Sequence, residues 1–565
     1  MDAGITALCQ LESGPLPHAA CQALGFASAP GSFIGATYDP AGSAFADRLA
    51  DQTRVTLVLG QPQGLERDAL RSGLAAGMRL LFDRYGEELS ARIEGEWALV
   101  DWRPGRLTLI QSRTRRDWLF IARHGNLVAL SGDLEQLAAL DWVGRELDPL
   151  GLAGAFGRSA LRAGLARQTV LPGVERLAPG ECLILEPGSD RRNRAALPAV
   201  TPWHGSFAEA IEEARTVLNR IVSERLAQAR APAVMLSGGL DSSTLAAVIK
   251  DVAGPGTRLT ALTSVAPDGS DLPDERVEAA AVAEWLGIDQ VLVTPDPTES
   301  LYRPAPEIYR LAGGPTLSPR HYLYRTLCGT ARERGFDTLF DGAYGELSLT
   351  SYLPVLTPRY RLRQMLKRLL RGDADAPASP FHIRLAGHRL AKLAPRIDEL
   401  VAENRRPLAQ RAPHERLGWV PGYDKAWESP TLLDHGIRNA MPFRDPRLLQ
   451  LFAAFPASFL VRDGLNRAPA RAMMAGHLPE AIRLRRTAGP FSPDYMKRIG
   501  DHAPLALARF AAFRRAEADD WIDLGWLEQA LQRISANGPS SIDDAFEVQL
   551  TAMAAEFLVW WRRAG

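Results

Sequence analysis

The stretch APAVMLSGGLDSSTLAAVIK, residues 231–250, decides the fold of this chain. It begins with a short apolar run that predicts a buried strand, crosses two glycines, and continues with helical spacing. Adjacent glycines let a backbone approach an anion closely. The N–H groups of such a loop attract negative charge together with the N-terminal end of the following helix. The stretch therefore predicts a strand, a phosphate-binding loop and a helix.

The polar residues of this loop are candidate ligands of a nucleotide. Serine hydroxyls can donate hydrogen bonds to phosphate oxygens, whereas the carboxylate of Asp241 repels them unless a cation lies between. Mg²⁺ commonly takes one or two carboxylates with phosphate oxygens, so Asp241 is a predicted Mg²⁺ ligand. A plain Gly-Gly turn with a Ser or Asp helix cap is the structural alternative. The chain has no GxxxxGK[ST] motif to indicate a P-loop NTPase. The candidate nucleotide-binding residues are Ser237, Gly238, Gly239, Asp241, Ser242 and Ser243.

The pattern on either side of the loop indicates the fold class. From about residue 207 to 342, predicted strands alternate with predicted helices, which indicates a parallel sheet covered on both faces. The earlier part contains hairpin patterns such as EWALVDWRPGRLTLIQS over 96–112, and the polar run over 191–203 is typical of a linker. From about 350 the pattern is mostly helical. We predict an α/β protein with two domains, residues 1–200 and 205–565.

Ser237–Ser243 resembles the PP-loop of the N-type ATP pyrophosphatases, which cleave ATP to AMP and pyrophosphate. That group includes asparagine synthetase, GMP synthetase, NAD synthetase and tRNA-thiolating enzymes. Further segments resemble asparagine synthetases in particular, and together they extend over nearly the whole chain. These segments are Asp274–Gly287, RNAMPFRD over 438–445, the run over 464–486 and, in the first half, 93–137 and 171–181.

The resemblance implies a fold and a set of substrates. It implies an N-terminal Ntn-hydrolase-like αββα domain of the glutamine amidotransferase type. A PP-loop α/β synthetase domain with a parallel sheet and many helices follows. It also implies that ATP and Mg²⁺ are bound. Ser264, near the end of the predicted strand over 258–265, is a further candidate for nucleotide binding.

FDGAYGE, residues 340–346, stands in the place of the family's SGxGxDE loop, whose acidic residue helps to hold magnesium. Glu346 corresponds to that acid and is the second predicted metal ligand, and Gly342 is assigned to the nucleotide. Tyr344 stands near the slot in which β-lactam synthetases carry a tyrosine that deprotonates the amine, offset by one position. We predict that Tyr344 is catalytic, and a plain glycine-rich turn is the structural alternative.

A cation is expected to face the reacting phosphate, because the family carries a lysine for this purpose. The nearest equivalent position here is Ala488, and the flanking cations are Arg485 and Arg486. An arginine can supply charge to the developing pyrophosphate. We therefore predict Arg485 and Arg486 as catalytic residues and leave open which of them acts, or whether they only cap helices or meet surface acids.

The source of the amine is the next question. A glutaminase of this family needs a cysteine as residue 2, whereas residue 2 here is Asp2. Cys9 and Cys21 are internal, and we expect them to be small buried hydrophobes. Glutamine hydrolysis is not expected, so the amine must be free ammonia or belong to the substrate.

This pattern resembles β-lactam synthetases and, more closely, lasso-peptide cyclases (macrolactam synthetases). The resemblance implies an acyl-adenylate that is captured by an amine of the same peptide, forming an isopeptide bond. Four alternatives remain open. They are an ammonia-using asparagine synthetase, a β-lactam-synthetase-like small-molecule cyclase, a non-catalytic relative that binds a nucleotide or a partner, and a tRNA-modifying ATP pyrophosphatase, which neither cysteine pairing nor charge supports.

The amino-acid composition indicates which classes of binding partner and which cellular compartment to expect. Lys+Arg and Asp+Glu both number 66, which argues against a dedicated nucleic-acid binder. Four cysteines without a CxxC pair indicate neither a disulfide framework nor a zinc site. We find no apolar run of about 18 residues and no signal-peptide pattern, so we expect a cytoplasmic protein that does not bind membranes.

A basic segment is the candidate partner surface. We expect a peptide or small-molecule carboxylate as substrate, with a leader-peptide protease and a leader-binding protein as partners. The segment predicts a docking surface for an acidic peptide or protein, and a solvated helix face is the alternative. Its cations are Arg359, Arg361, Arg363, Lys367, Arg368 and Arg371, followed by Arg384, Arg389, Lys392 and Arg396.

Overall fold

A computed structural model gives the fold of this protein. It describes residues 4–12, 15–26, 32–38, 46–51, 53–63, 73–114, 119–195, 199–254, 258–350, 379–404, 436–486, 489 and 492–563. The basic run over 359–371 lies outside these residues. No helix within these ranges is long and apolar enough to cross a membrane.

The N-terminal half is built from two antiparallel sheets. Within the described ranges, their strand orders are β2-β1-β8-β7-β9 and β11-β10-β6-β5-β4-β3. The elements are β1 Gly4–Gln10, α1 His18–Ala23, β2 Phe33–Tyr38, β3 Ala46–Ala50, β4 Val55–Gln63, α2 Leu74–Tyr85, α3 Leu89–Arg92, β5 Glu94–Arg103, β6 Arg106–Gln111, β7 Phe120–His124, β8 Leu127–Ser131, α4 Leu134–Ala138, α5 Pro149–Phe156, α6 Ser159–Gly164, β9 Val174–Arg176, β10 Glu181–Glu186 and β11 Ser189–Arg194.

Alternation of side chains along the strands creates the layers. Leu57, Val100 and Leu183 point from one sheet into the buried space between the two sheets. Helix α2 buries Phe82 on the outer face of one sheet, and α5 buries Phe156 against the other. Helices therefore cover both sheets, and the predicted αββα arrangement is confirmed.

One element of this half was predicted wrongly. The polar run over 191–203 was interpreted as a linker, but its first residues belong to β11, which pairs with β10 from Glu181↔Arg194 to Glu186↔Ser189. An edge strand pairs along one side only and tolerates charged side chains, so its polar composition hides it.

The C-terminal half contains a parallel sheet with strand order β14-β13-β12-β15-β16 in the described ranges. Each of its strand pairs is parallel, as the alternating pattern predicts. Helices connect the strands, so the carboxyl ends of the strands meet at one edge. The elements are α7 Phe207–Leu226, β12 Pro232–Met235, α8 Leu240–Ala253, β13 Thr260–Ser264, α9 Arg276–Leu286, β14 Asp289–Val293, α10 Pro306–Ala312, α11 His321–Glu333, β15 Thr338–Phe340 and β16 Arg438–Ala440.

The rest of the described chain is mostly helical, as predicted. The last helix, α20, packs against the N-terminal half, where the Trp561 indole donates a hydrogen bond of 2.9 Å to the Arg145 carbonyl. The further elements are α12 Gly387–Leu390, α13 Ala394–Asn404, α14 Pro446–Ala454, β17 Val461–Arg462, β18 Leu465–Asn466, α15 Ala468–Met473, α16 Glu480–Arg483, α17 Tyr495–Leu507, α18 Phe510–Arg515, α19 Leu524–Asn537 and α20 Ile542–Arg563. The domain boundary between residues 200 and 205 stays a prediction.

Candidate active site

The predicted phosphate loop lies between β12 and α8. Its conformation requires glycine at Gly238, where φ is +73° and a Cβ atom would lie 2.6 Å from Cβ of Glu278. The hydroxyl of Ser242 accepts a hydrogen bond of 3.1 Å from the backbone N–H of Ser237, and it donates one of 3.2 Å to the Gly239 carbonyl. Hydrogen bonds within the loop therefore hold its conformation. The loop lies at the N-terminal end of α8, a position that favours the binding of anions.

A cavity of about 270 Å³ opens beside this loop. It lies at the carboxyl ends of β12, β13 and β15, the edge where open α/β sheets bind ligands. Gly238 and Ser243 are not among the described residues that line the cavity, since Gly238 abuts Glu278 and Ser243 is fully buried. The predicted residues that do line it are Ser237, Gly239, Asp241, Ser242, Ser264, Gly342 and Glu346.

Asp241 and Glu346, two of the four carboxylates that line this cavity, are the predicted ligands of a divalent cation. The pKa of Asp241 is raised by burial and also by the nearby charge of Glu346. Thr350 donates a hydrogen bond to Asp241 Oδ1, and Arg467 lies 3.4 Å from Oδ2. In the described part of the chain, no group of three or more Asp, Glu, His or Cys side chains is arranged so that it could hold a metal ion by itself. Two carboxylates nevertheless match what Mg²⁺ takes beside nucleotide phosphates.

The loop over 340–346 approaches the phosphate loop closely. Gly345 packs so tightly on Asp241 Oδ1 that a Cβ atom at residue 345 would collide with it, and Gly342 lies beside the backbone of Ser242. Tyr344 has φ of +70° and is 0% exposed. It is not among the described residues that line the cavity, and the guanidinium of Arg444 lies 5.5 Å from the centre of its ring. The catalytic role of Tyr344 stays a prediction without support from this geometry.

The two arginines that were predicted as catalytic, Arg485 and Arg486, differ in their position relative to the cavity. Arg485 forms ion pairs with Glu275, which lines the cavity, and with Glu278 at 3.5 Å. Arg486 is exposed, and it is not among the described cavity-lining residues. Ala488 lies outside the described residues. Arg485 is therefore linked to the cavity by its ion pair with Glu275. The catalytic role of Arg486 stays a prediction, and the position of Arg486 does not support it.

Arg467, the arginine beside Asp241, was not predicted as a site residue. It lies in the run over 464–486 that resembles asparagine synthetases, three residues after Gly464, where that family carries a lysine. Arg471, in the same run, was not predicted as a site residue either. Its guanidinium donates to the carbonyls of Asn466, Arg483 and Arg485, and it therefore ties the segment of Arg467 to that of Arg485.

Ser264 has a free hydroxyl at the cavity wall. Its Oγ atom is buried and has no hydrogen-bond partner among the described residues. Met235, Leu262 and Leu327 supply apolar wall beside it. A buried hydroxyl without a partner costs free energy unless a ligand meets it. An apolar wall with one polar group suits the base of a nucleotide.

We expect Ser264→Ala to raise the KM for ATP about three- to tenfold with kcat nearly unchanged, since one neutral hydrogen bond contributes about 0.5–1.5 kcal/mol. Steady-state kinetics at varied ATP concentration measures this effect. Ser270→Ala, at an exposed serine, serves as the control. An unchanged KM in the Ser264 variant would remove this hydroxyl from the nucleotide site.

The cysteines are buried as predicted. Cys9 and Cys21 lie in the interior of the N-terminal half, and burial raises the pKa of the Cys9 thiol. Cys182 and Cys328, the other cysteines of the chain, are also buried. A buried thiol with a raised pKa is a poor nucleophile.

Comparisons with known proteins support the resemblance to asparagine synthetases. The family model for asparagine synthase matches residues 213–562. Amidase chyE of Penicillium rubens is 26% identical over 234 residues, which are 38% of this chain and 34% of that protein. Amidase chry2 of Gibberella zeae is 28% identical over 235 residues, with the same two shares. The chain thus spans about a third of the length of these curated relatives.

Two solved structures are also similar in part. Glutamine phosphoribosylpyrophosphate amidotransferase from B. subtilis is 11% identical with a TM-score of 0.23, and the match covers 60% of this chain and 81% of that one. The U34-tRNA thiolase NcsA from Methanococcus maripaludis is 12% identical with a TM-score of 0.23, covering 59% and 80%. Similarity at this level supports no conclusion about function.

Proposed function

The chain belongs to the asparagine synthase family, whose members form amides with ATP, and we propose from this that it activates a carboxylate by adenylation and transfers it to an amine. One observation carries the proposal. Asp241 and Glu346, which are 105 residues apart in sequence, line the same cavity as the phosphate loop, and Arg467 lies 3.4 Å from the Asp241 carboxylate. Adenylation of a carboxylate requires ligands for a metal ion, hydrogen-bond donors to the phosphate oxygens, and a cation.

The reaction balances in two steps. An oxygen of the substrate carboxylate attacks the α-phosphorus of ATP, and the bond to the β-phosphate oxygen breaks, which releases pyrophosphate. The amine then attacks the carbonyl of the acyl-adenylate, AMP leaves with the former carboxylate oxygen, and the amine loses a proton. The cavity walls hold both reactants together, which increases their effective concentration.

The side chains of the cavity divide this work. Backbone N–H groups of the phosphate loop and the hydroxyl of Ser237 bind phosphate oxygens. Arg467 offsets the charge that develops on the departing pyrophosphate. Asp241 and Glu346 would hold a Mg²⁺ ion, which neutralises phosphate charge when bound. The hydroxyl of Ser264 and the apolar wall orient the base.

We further propose that the amine belongs to the substrate, and that the product is a macrolactam of a lasso-peptide precursor. The burial of Cys9, Cys21, Cys182 and Cys328 supports an amine that does not come from glutamine through a cysteine nucleophile. In this proposal the substrate is a peptide, and a leader-peptide protease and a leader-binding protein are the partners. Among the described cations of the basic segment, Arg384 pairs with Glu547 and Arg396 with Glu399, which favours a solvated face there.

Pyrophosphate release tests the substrate class. We expect release with ATP, Mg²⁺ and a precursor peptide treated with its protease, and a peptide product lighter by one water. Parallel reactions contain aspartate with ammonium, or no second substrate. Release with aspartate and ammonium alone, together with asparagine formation, would replace the macrolactam proposal by ammonia-dependent asparagine synthesis.

A further inference from the structure

Arg444 joins the two halves of the protein in a buried position. It ends the short 3-10 helix Pro442–Arg444, and its side chain is 3% exposed. Its guanidinium donates a hydrogen bond to the carbonyl of Thr114, just after β6, and lies 3.7 Å from the carboxylate of Glu96 on β5. A desolvated guanidinium with these partners is costly to displace, so the contact holds a defined geometry.

The same guanidinium contacts the loop that carries Glu346. Its carbon lies 5.5 Å from the centre of the Tyr344 ring, within the range of a cation–π interaction. Tyr344 is fully buried in the left-handed backbone region, which most non-glycine residues avoid. Surrounding contacts must therefore hold this residue in place.

Tyr344 directly precedes the two residues that meet Asp241. Gly345 packs on the Asp241 carboxylate, and Glu346 lines the cavity and affects the pKa of Asp241. Contacts thus run without a gap from the Thr114 carbonyl through Arg444 and Tyr344 to the paired carboxylates. A displacement of Tyr344 would move Glu346 relative to Asp241.

We infer that Arg444 is a positioning residue through which the N-terminal half fixes the carboxylate loop over 341–346. The inference rests on the proposed adenylation, and it gives the N-terminal sheets a part in that chemistry. Tyr344 acts here through its ring, as the surface that Arg444 holds, and its hydroxyl is not required. Errors of about 1 Å in the placement of reacting groups can lower a rate about 100-fold, so this anchoring affects turnover.

Kinetics of five variants test the inference. We expect Arg444→Met to lower kcat for substrate-dependent pyrophosphate release about 10- to 100-fold, with the KM for ATP changed less than about twofold. Arg444→Lys should recover part of the loss, because an ammonium keeps the charge over the ring and one donor. Tyr344→Phe should retain activity, whereas Tyr344→Leu should resemble Arg444→Met, and the double variant Arg444→Met/Tyr344→Leu should lose no more than either single variant.

Arg447 supplies a matched control at the same junction. Its guanidinium contacts Glu224 at 2.7 Å, Asp445 at 2.9 Å and Gln63 of the N-terminal half at 3.5 Å. None of its contacts among the described residues reaches the carboxylate loop. Arg447→Met should therefore lower the unfolding temperature at least as much as Arg444→Met while kcat stays near that of the unaltered protein.

The outcomes separate two failures. If Arg444→Met and Arg447→Met lower kcat equally, or if Tyr344→Phe is as inactive as Tyr344→Leu, the positioning role is wrong while adenylation stands. If the unaltered protein releases no pyrophosphate with any substrate, the proposed function is wrong. Equal kcat for Arg444→Met and the unaltered protein also overturns the inference.

Discussion

Replacement of Asp241 by asparagine should abolish ATP cleavage while the protein stays folded. We expect kcat for pyrophosphate release to fall at least about 10²–10³-fold, the scale on which loss of one preorganised charge-stabilising group acts. Asparagine keeps the shape of the side chain but removes the charge that a Mg²⁺ ion needs from this ligand. Pyrophosphate release with saturating ATP and substrate measures the loss.

The folding stability of Asp241→Asn should stay the same or increase, although its activity falls. The pKa of Asp241 is raised by burial and by Glu346, so the folded protein binds a proton at this carboxyl more tightly than the unfolded chain does. The ionised carboxylate therefore costs stability as the pH rises above its unfolded pKa, and a neutral amide removes that cost. We expect the unfolding temperature of Asp241→Asn at pH 7, without nucleotide or Mg²⁺, to be equal to or above that of the unaltered protein.

A second aspartate on the same helix provides the control. Asp251 lies on α8 and pairs with His477 at 2.9 Å, far from the phosphate loop along the helix. Asp251→Asn should keep normal kcat. Full turnover in Asp241→Asn, or an equal loss in both variants, would contradict the metal-ligand assignment.

Replacement of Arg467 by methionine should cause the second large loss. Arg467 pairs with Asp241 at 3.4 Å from Oδ2, and pyrophosphate gains charge as it leaves. Charge-assisted hydrogen bonds to such a leaving group are made mainly in the transition state, so we expect kcat to fall about 10²-fold with a smaller change in the KM for ATP. Rapid-quench measurement of a single turnover isolates this step from product release.

Arg486 allows a direct comparison with the prediction made from sequence. Arg486→Met removes an exposed arginine of the neighbouring segment, and by its position we expect kcat within about twofold of normal. If Arg486→Met lost most activity while Arg467→Met retained it, the sequence interpretation would be right and the assignment of Arg467 wrong.

Local pattern was enough to predict the core of the site. A buried strand, two glycines and a helix start are close in sequence, so the phosphate loop over Ser237–Ser243 could be recognised from the amino-acid sequence alone. The parallel sheet followed from the alternation around it. Strand β11 was missed because an edge strand needs no apolar alternation.

Contacts between residues far apart in the chain could not be predicted from the sequence. Arg467 and Asp241 are 226 residues apart, and no spacing rule connects them. Tyr344 was predicted to be catalytic from its place in a loop; its backbone is left-handed, its side chain is fully buried, and the guanidinium of Arg444, from another segment, lies 5.5 Å from the centre of its ring. Side-chain direction in irregular loops is set by such tertiary contacts.

The most direct test of adenylation follows an oxygen atom. The substrate whose addition triggers pyrophosphate release is prepared with ¹⁸O in the reacting carboxylate, incubated with the protein, ATP and Mg²⁺, and the nucleotides are separated and weighed by mass spectrometry. We expect AMP and pyrophosphate in equal amounts, with one ¹⁸O atom in each AMP. Formation of ADP with ¹⁸O in inorganic phosphate would mean an acyl-phosphate intermediate and would contradict the proposed chemistry of this site.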